Sequence, residues 1–346
     1  MQKVNVLITG IGGPTAQGVA QGLKDIDEVR IVGSDRREIT PGNQFCDTTY
    51  KIPRYTQKEL YKEAIMDIVR NENIHAVFPS LHEEIELFCE LKDTINAAVA
   101  LPQSHLFSIL MDKESTYHYL REIGLHRYIP EYYGFNHASE LRQIIEHAFS
   151  KNVQVVVKQV NGHGAMGFAI LTDHHNYLEA VKKGKAKVYR IDDYCEVLSG
   201  ERHIAMELLD DPEYSVDMFL HNGNVVTAIP RERTGVSNGI VLDGRVVFNQ
   251  ELIDAAGDIA TSLISDGFIN LQFMTGQNGY KLTDINPRFC GSQVMSLGAG
   301  VNFPHLFLQY NVLGEFPEVH PRWNTRMLRY REQLFIYEEE ASHEFN

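Results

Sequence analysis

The sequence contains no run approaching the ~20 apolar residues that cross a bilayer, and no Lys- or Arg-rich segment. The first absence speaks against a membrane helix. The second matters because the chain of 346 residues carries 46 Asp+Glu against 32 Lys+Arg, a formal net charge of −14. Such a surface repels a nucleic acid backbone unless a basic stripe gathers its cations. Neither nucleic acid nor a membrane is therefore expected as a partner. The four cysteines (Cys46, Cys89, Cys195 and Cys290) lie far apart without a C-x-x-C pair, so no disulfide framework or zinc knuckle is indicated. No G-x-S-x-G element occurs and the 15 histidines do not fall at metal spacings, which leaves Ser/His/Asp and Cys/His catalysis unsupported. Met1-Gln2-Lys3 is followed by only six residues before Gly10, too few for a signal peptide. With 23% charged and 43% hydrophobic residues, no internal repeat and no low-complexity tract, a reduced, cytoplasmic, multi-domain globular protein is expected.

What is present alternates at first between short apolar runs and helix-patterned stretches. Strands are predicted over 4–9, 30–33, 76–78 and 97–101, and helices over 15–24, 57–70 and 83–91. That β-α-β rhythm implies a parallel sheet covered on both faces. One helix is predicted from Ser104 to about Gly124, with Asp112-Lys113 in its middle. A helix over 138–149, a strand over 153–158, a glycine loop and a strand over 168–171 follow. From Ala205 the strands lengthen: 214–220 and 225–229 flank Asn222-Gly223, a hairpin signal. A helix over 251–265 leads into strands at 268–273 and 280–285, and the last twenty residues read as peripheral.

Three stretches carry chemistry. Gly10-Ile11-Gly12-Gly13-Pro14-Thr15 opens a helix after the first strand, and Asp35 ends the second strand where a ribose-holding acid falls in a dinucleotide fold. Thr15 stands at the third glycine position, so this signal is weak. Lys158 ends a strand and runs into Gly162, Gly164 and Gly167, a loop whose N–H groups can close around phosphate oxygens beside a fixed cation. The most informative stretch is the hairpin that ends in Asp284-Ile285-Asn286-Pro287-Arg288. Side chains two apart on a strand share a face, so Asp284 and Asn286 point the same way. A three-residue loop over 277–279, with Gly279 left-handed, pairs 276 with 280 and sets Gln272 opposite Asp284. Three oxygen-bearing side chains with one charge suit a hard cation that arrives with phosphates. Arg288 follows beside them, and Arg231 and Arg233 on one extended segment suit an anionic substrate or a transferring phosphate.

Together these stretches resemble the ATP-grasp superfamily, most closely the ATP-grasp unit of the carbamoyl phosphate synthase large subunit and single-unit carboxylate–amine ligases. The resemblance runs from residue 4 to about 312, and its specific element is the Asp-x-Asn-Pro-Arg ending. It implies an α/β chain, α+β toward its C-terminus: a Rossmann-like pre-ATP-grasp domain at 1–110, a small lid subdomain at 111–203 and a C-terminal subdomain with the metal site at 204–346. By resemblance, Lys113 and Lys158 contact ATP phosphates, and Gly162, Gly164 and Gly167 form the phosphate lid. Glu207 and Leu209 flank adenine, and Glu213 meets ribose. Gln272, Asp284 and Asn286 hold Mg2+ or Mn2+, and Arg288 steadies the phosphoryl group. Gln159 replaces the usual proline after the lysine, and Asp284 is shorter than the usual glutamate.

The implied activity is ATP-dependent ligation. A small-molecule carboxylate becomes an acyl phosphate and is captured by an amine or thiol, with ADP and phosphate released; a homodimer is common in the family. Three alternatives stand beside it: a carbamoyl-phosphate-type partial reaction on bicarbonate and ammonia, a nucleotide-binding regulator without turnover, and an NAD-binding oxidoreductase built on residues 10–35.

Overall fold

The first apolar run, β1 (Val4–Thr9), is buried along nearly its whole length because helices cover both faces of its sheet. A computed structural model describes residues 3–150, 154–162, 167–237, 239–330 and 332–336. After β1 come α1 (Pro14–Leu23), β2 (Val29–Asp35), β3 (Thr48–Lys51), α2 (Lys58–Asn71), β4 (Ala76–Phe78), α3 (Ile85–Leu91) and β5 (Ala98–Val99). The five strands form a parallel sheet in the order β3-β2-β1-β4-β5. Leu7, Val32 and Val77 pack under α2 and α3, while Val6, Ile8 and Phe78 face α1. The edge strand β3, Thr-Thr-Tyr-Lys, has no apolar run to announce it and was not expected.

The single helix expected across 104–124 is two: α4 (Phe107–Leu110) and α5 (Lys113–Glu122). Asp112 breaks it, adopting an extended backbone and accepting the Ser115 N–H at 2.7 Å as an N-cap. Lys113 is therefore the first residue of a helix rather than a mid-helix one.

The next sheet is built from β6 (Tyr132–Phe135), β7 (Gln154–Gln159), β8 (Ala169–Thr172), β9 (Val188–Arg190) and β10 (His203–Glu207) in the order β6-β10-β7-β8-β9. Three helices accompany it: α6 (Ala138–His147), α7 (His174–Lys182) and α8 (Ile191–Glu196). The expected boundary at 203/204 cuts β10, which lies between β6 and β7 and belongs to this sheet.

A six-stranded antiparallel sheet completes the fold. It contains β11 (Asp210–His221), β12 (Asn224–Ser237), β13 (Ile240–Val246), β14 (Gly267–Gly276), β15 (Gly279–Asn286) and β16 (Arg326–Leu328), in the order β15-β14-β11-β12-β13-β16. The β11–β12 hairpin turns at Asn222 and Gly223, both with positive φ, as its sequence predicts. α9 (Gln250–Leu263) and α5 bury one face of the sheet. The other face meets α10 (Val294–Gly298), α11 (Phe303–Leu308) and the first sheet. There Phe289 stacks on Phe268 at 4.5 Å between ring centroids and meets Phe78 at 5.6 Å, so the first and third sheets share one core.

Candidate active site

Between the second and third sheets lies a cleft of about 700 Å³. One end is apolar. The register sets Met206, Val156 and Ile170 in a single row across β10, β7 and β8, and Leu209, Phe168 and Met274 close around them. Sequence reasoning missed this slot, although the alternation along β7 that puts Lys158 on the cleft face also puts Val156 there. Leu208-Leu209 links β10 to β11 along the slot, with Leu209 buried. Glu207 turns its carboxylate to the Glu131 N–H (2.9 Å), so it is the backbone of 207–209 that edges the slot.

The other end is charged. Lys158 donates to the Thr283 carbonyl at 3.0 Å, and burial pushes its pKa down to about 8 against the opposing pull of Asp284. Lys113 pairs with Asp284 at 3.0 Å and donates to the Gly162 carbonyl at 2.6 Å. Lys113 thus ties the start of the glycine loop to the carboxylate. Gly167, with φ +66, brings the chain back against Gln159, where a Cβ would lie 2.6 Å from the Gln159 Cβ. Gly164 lies outside the described residues.

Gln272 stands directly across from Asp284, as expected, but by a different route. The turn is the two residues Gln277-Asn278, pairing Gly276 with Gly279, and a bulge at Thr283 restores the offset. Gly279 has the expected positive φ. Asp284 and Asn286 both line the cleft. The Gln272 amide is satisfied with its nitrogen donating to Glu213 (3.1 Å) and its oxygen accepting from Arg233 (3.2 Å). Glu213 is ion-paired to Arg233, and burial raises its pKa despite Arg233 and Lys158 nearby. Glu213 is thereby joined to the charged end, where it still lines the cleft. Among the described residues no group of three or more His, Cys, Asp or Glu forms a metal cage. One carboxylate with two amides fits an ion that brings phosphate oxygens with it.

Two arginines separate here. Arg288 lines the cleft with its Nε buried and unpartnered, while its Nη1 donates to the Phe289 carbonyl at 2.9 Å. Burial lowers its pKa, and an anion is the group that would satisfy it. Arg231, expected as a site residue, is wholly buried in an ion pair with Asp217 at 2.6 Å and donates to the Ser292 carbonyl at 2.8 Å. It does not line the cleft, because it serves as the counter-ion of a buried carboxylate.

At the Gly10 turn the Asp35 carboxylate already has partners. Asp35 accepts the Gly12 N–H at 3.0 Å and the Arg37 side chain at 3.0 Å, which hold its carboxylate below its usual pKa against burial. A Cβ on Gly12 would fall 2.1 Å from the Arg37 guanidinium. Pro14 and Thr15, at the start of α1, instead border the far end of the cleft.

Residues 199–333 match the family described as ATP-grasp in the biosynthetic pathway with Ter operon, and residues 6–100 match the PylC-like N-terminal domain. The chain carries an ATP-grasp domain. No curated protein matches it. Solved structures share the ATP-grasp fold at low identity. N5-carboxyaminoimidazole synthetase from Staphylococcus aureus, complexed with ADP, is 16% identical with a TM-score of 0.67, covering 95% of this chain and 81% of that one. L-amino acid ligase from Bacillus licheniformis is 15% identical with a TM-score of 0.61, covering 92% and 78%. The biotin carboxylase domain dimer of Hydrogenobacter thermophilus 2-oxoglutarate carboxylase, in complex with MgADP and bicarbonate, is 15% identical with a TM-score of 0.65, covering 94% and 74%. The match over 199–333 takes in β10 and the whole third sheet, and the PylC-like match takes in the parallel sheet. No helix among the described residues is long and apolar enough to cross a membrane.

Proposed function

We propose that this ATP-grasp protein is an ATP-dependent ligase that joins a small-molecule carboxylate to an amine. The observation that carries the reading is the grouping of Lys113 and Lys158 around Asp284, opposite Gln272 and beside Arg288 with its unpartnered Nε, at one end of a cleft whose other end is an apolar slot. Adenine fits between Val156, Ile170, Met206 and Met274, with the 207–209 backbone reading its edge. The triphosphate then runs toward Lys158 and Lys113. Gln272, Asp284 and Asn286 would hold Mg2+, or Mn2+ in its place, which neutralises phosphate charge when bound.

A carboxylate oxygen of the substrate attacks the γ-phosphorus and the bond to ADP breaks, giving an acyl phosphate. The amine nitrogen then attacks the acyl carbon, phosphate leaves, and the nitrogen gives up a proton. Neither step asks a side chain for covalent chemistry. Positioning and charge neutralisation suffice, which suits a site of lysines and arginines. A closed glycine loop keeps water from the acyl phosphate. MgADP and bicarbonate in one structural relative, and ADP in another, support the nucleotide and metal.

Calorimetric titration with a non-hydrolysable ATP analogue, with and without Mg2+ and with NADH as control, tests the reading. Mg2+-dependent binding of the analogue is expected. Binding of NADH alone would move the function to the Gly10 turn.

A further inference from the structure

The third sheet carries a row of three polar residues, of which the activity proposed above uses only the last, Asn286. Register places Asp217 on β11 opposite Asn270 on β14, and Asn270 opposite Asn286 on β15. Asp217 and Asn270 are fully buried and Asn286 nearly so. Asn270 Nδ2 donates to Asp217 Oδ1 at 2.8 Å, and Asn286 Nδ2 donates to Asn270 Oδ1 at 3.4 Å. Arg231 and the Ser296 hydroxyl hold the Asp217 carboxylate from its other sides, at 2.6 and 2.8 Å.

The directions in this row are forced. An ionised carboxylate only accepts, so Asn270 must turn its NH2 toward Asp217 and its oxygen toward Asn286. That oxygen also only accepts, so Asn286 must turn its NH2 toward Asn270. The oxygen of Asn286 is then left on the cleft side. An amide at a metal site works in only one of its two orientations, because the oxygen ligates and the NH2 repels a cation. We propose that Asn270 is a positioning residue, held by Asp217, that fixes the Asn286 amide with its oxygen toward the bound cation. Arg231 enters the site by the same route, as the counter-ion that keeps Asp217 an acceptor.

This inference rests on the ligase reading, and its test separates the two. The measured quantity is the Mg2+ enhancement of ATP-analogue binding, by calorimetry, together with thermal melting. Asn270→Leu is expected to reduce the enhancement about tenfold, as removal of an outer partner of a metal ligand does, while analogue binding without Mg2+ is unchanged. A carboxylate presents oxygen whichever way it turns, so in the Asn286→Asp background the same Asn270→Leu change should cost less than about twofold. A merely structural role gives equal losses in both backgrounds. If Asn270→Leu does not melt cooperatively, Asn270→Ser serves instead, since its hydroxyl still donates to Asp217 but is too short to reach Asn286. Equal losses in the two backgrounds, or an undiminished enhancement in a folded variant, would overturn the proposal. Absence of Mg2+ enhancement in the unsubstituted protein would overturn the ligase reading instead.

Discussion

Lys113, the first residue of α5, stands 3.0 Å from the Asp284 carboxylate on β15 while its ammonium also holds the Gly162 carbonyl. Asp284 thus has a cation in place already, and one that anchors the loop expected to cover the phosphates. A metal ion reaching Asp284 competes with Lys113, which can move to a phosphate oxygen.

From this, Asp284→Ala should abolish the Mg2+ enhancement of analogue binding while leaving binding without Mg2+ equal or tighter, because Lys113 and Lys158 lose the carboxylate that neutralises them. The same titration, run beside a melting curve, checks it. An enhancement that survives in a folded variant removes Asp284 from the metal site.

Lys158 carries a pH signature. With its pKa pushed down to about 8 by burial, it is charged below that value and neutral above it. Analogue affinity should therefore fall as pH rises through about 8, and Lys158→Met should flatten the profile. In Lys158→Ala, ATP should lose more affinity than adenosine does. Equal losses for the two ligands would deny Lys158 a phosphate role.

Arg231 and Arg233, two residues apart, should fail in different ways. Arg231→Met leaves the Asp217 charge buried without its counter-ion, and a loss of about 3–5 kcal/mol is expected in denaturant unfolding. Arg233→Met removes a cleft-lining cation paired with the half-buried Glu213 and should act mainly on ligand binding. A stable Arg231→Met protein would mean that Asp217 does not need this counter-ion.

Glu84, at the entrance to α3, is buried against Thr9, and burial raises its pKa to about 7 even though Thr9, Tyr61 and the Ser80 and Leu81 backbone stabilise the anion. The folded-state pKa lies above the unfolded value of about 4.3. Stability from this group is therefore complete below about pH 4.3 and lost as pH rises through 7, on the order of 3 kcal/mol in all. Glu84→Gln should remove that part of the pH dependence in unfolding curves at pH 5 and 8. Parallel dependences in the two proteins would show that Glu84 is not the group responsible.

How far the sequence reached can be judged at particular residues. The facing of Asp284 and Asn286 follows from strand period alone, which no tertiary context alters. The pairing of Gln272 with Asp284 came out right although the turn is one residue shorter than expected, because the bulge at Thr283 adds the residue back. Bulges leave no local signature in this hairpin. Asp112 shows the reverse case: a residue typed as a helix cap sat inside a continuous helical pattern, and the pattern outweighed it. Arg231 and Arg233 share a strand face, and nothing local distinguishes them. Only Asp217, fourteen positions earlier in the chain, sends one into the core.

The Phe78–Phe289–Phe268 contact has a mechanical consequence. Phe289 directly follows Arg288, so the residue that glues the first sheet to the third is covalent neighbour to the one expected to grip phosphate. The second sheet keeps a core of its own around Phe135, Phe149 and Leu171, while Ile204 and Val160 reach into the core of the third and the chain crosses from β10 to β11 through Leu208-Leu209. In a vice of this build Arg288 belongs to the jaw that is bolted down. Were the second sheet to shift over a ligand, Arg288 would stay seated with the first and third sheets, and the phosphate grip would keep its aim.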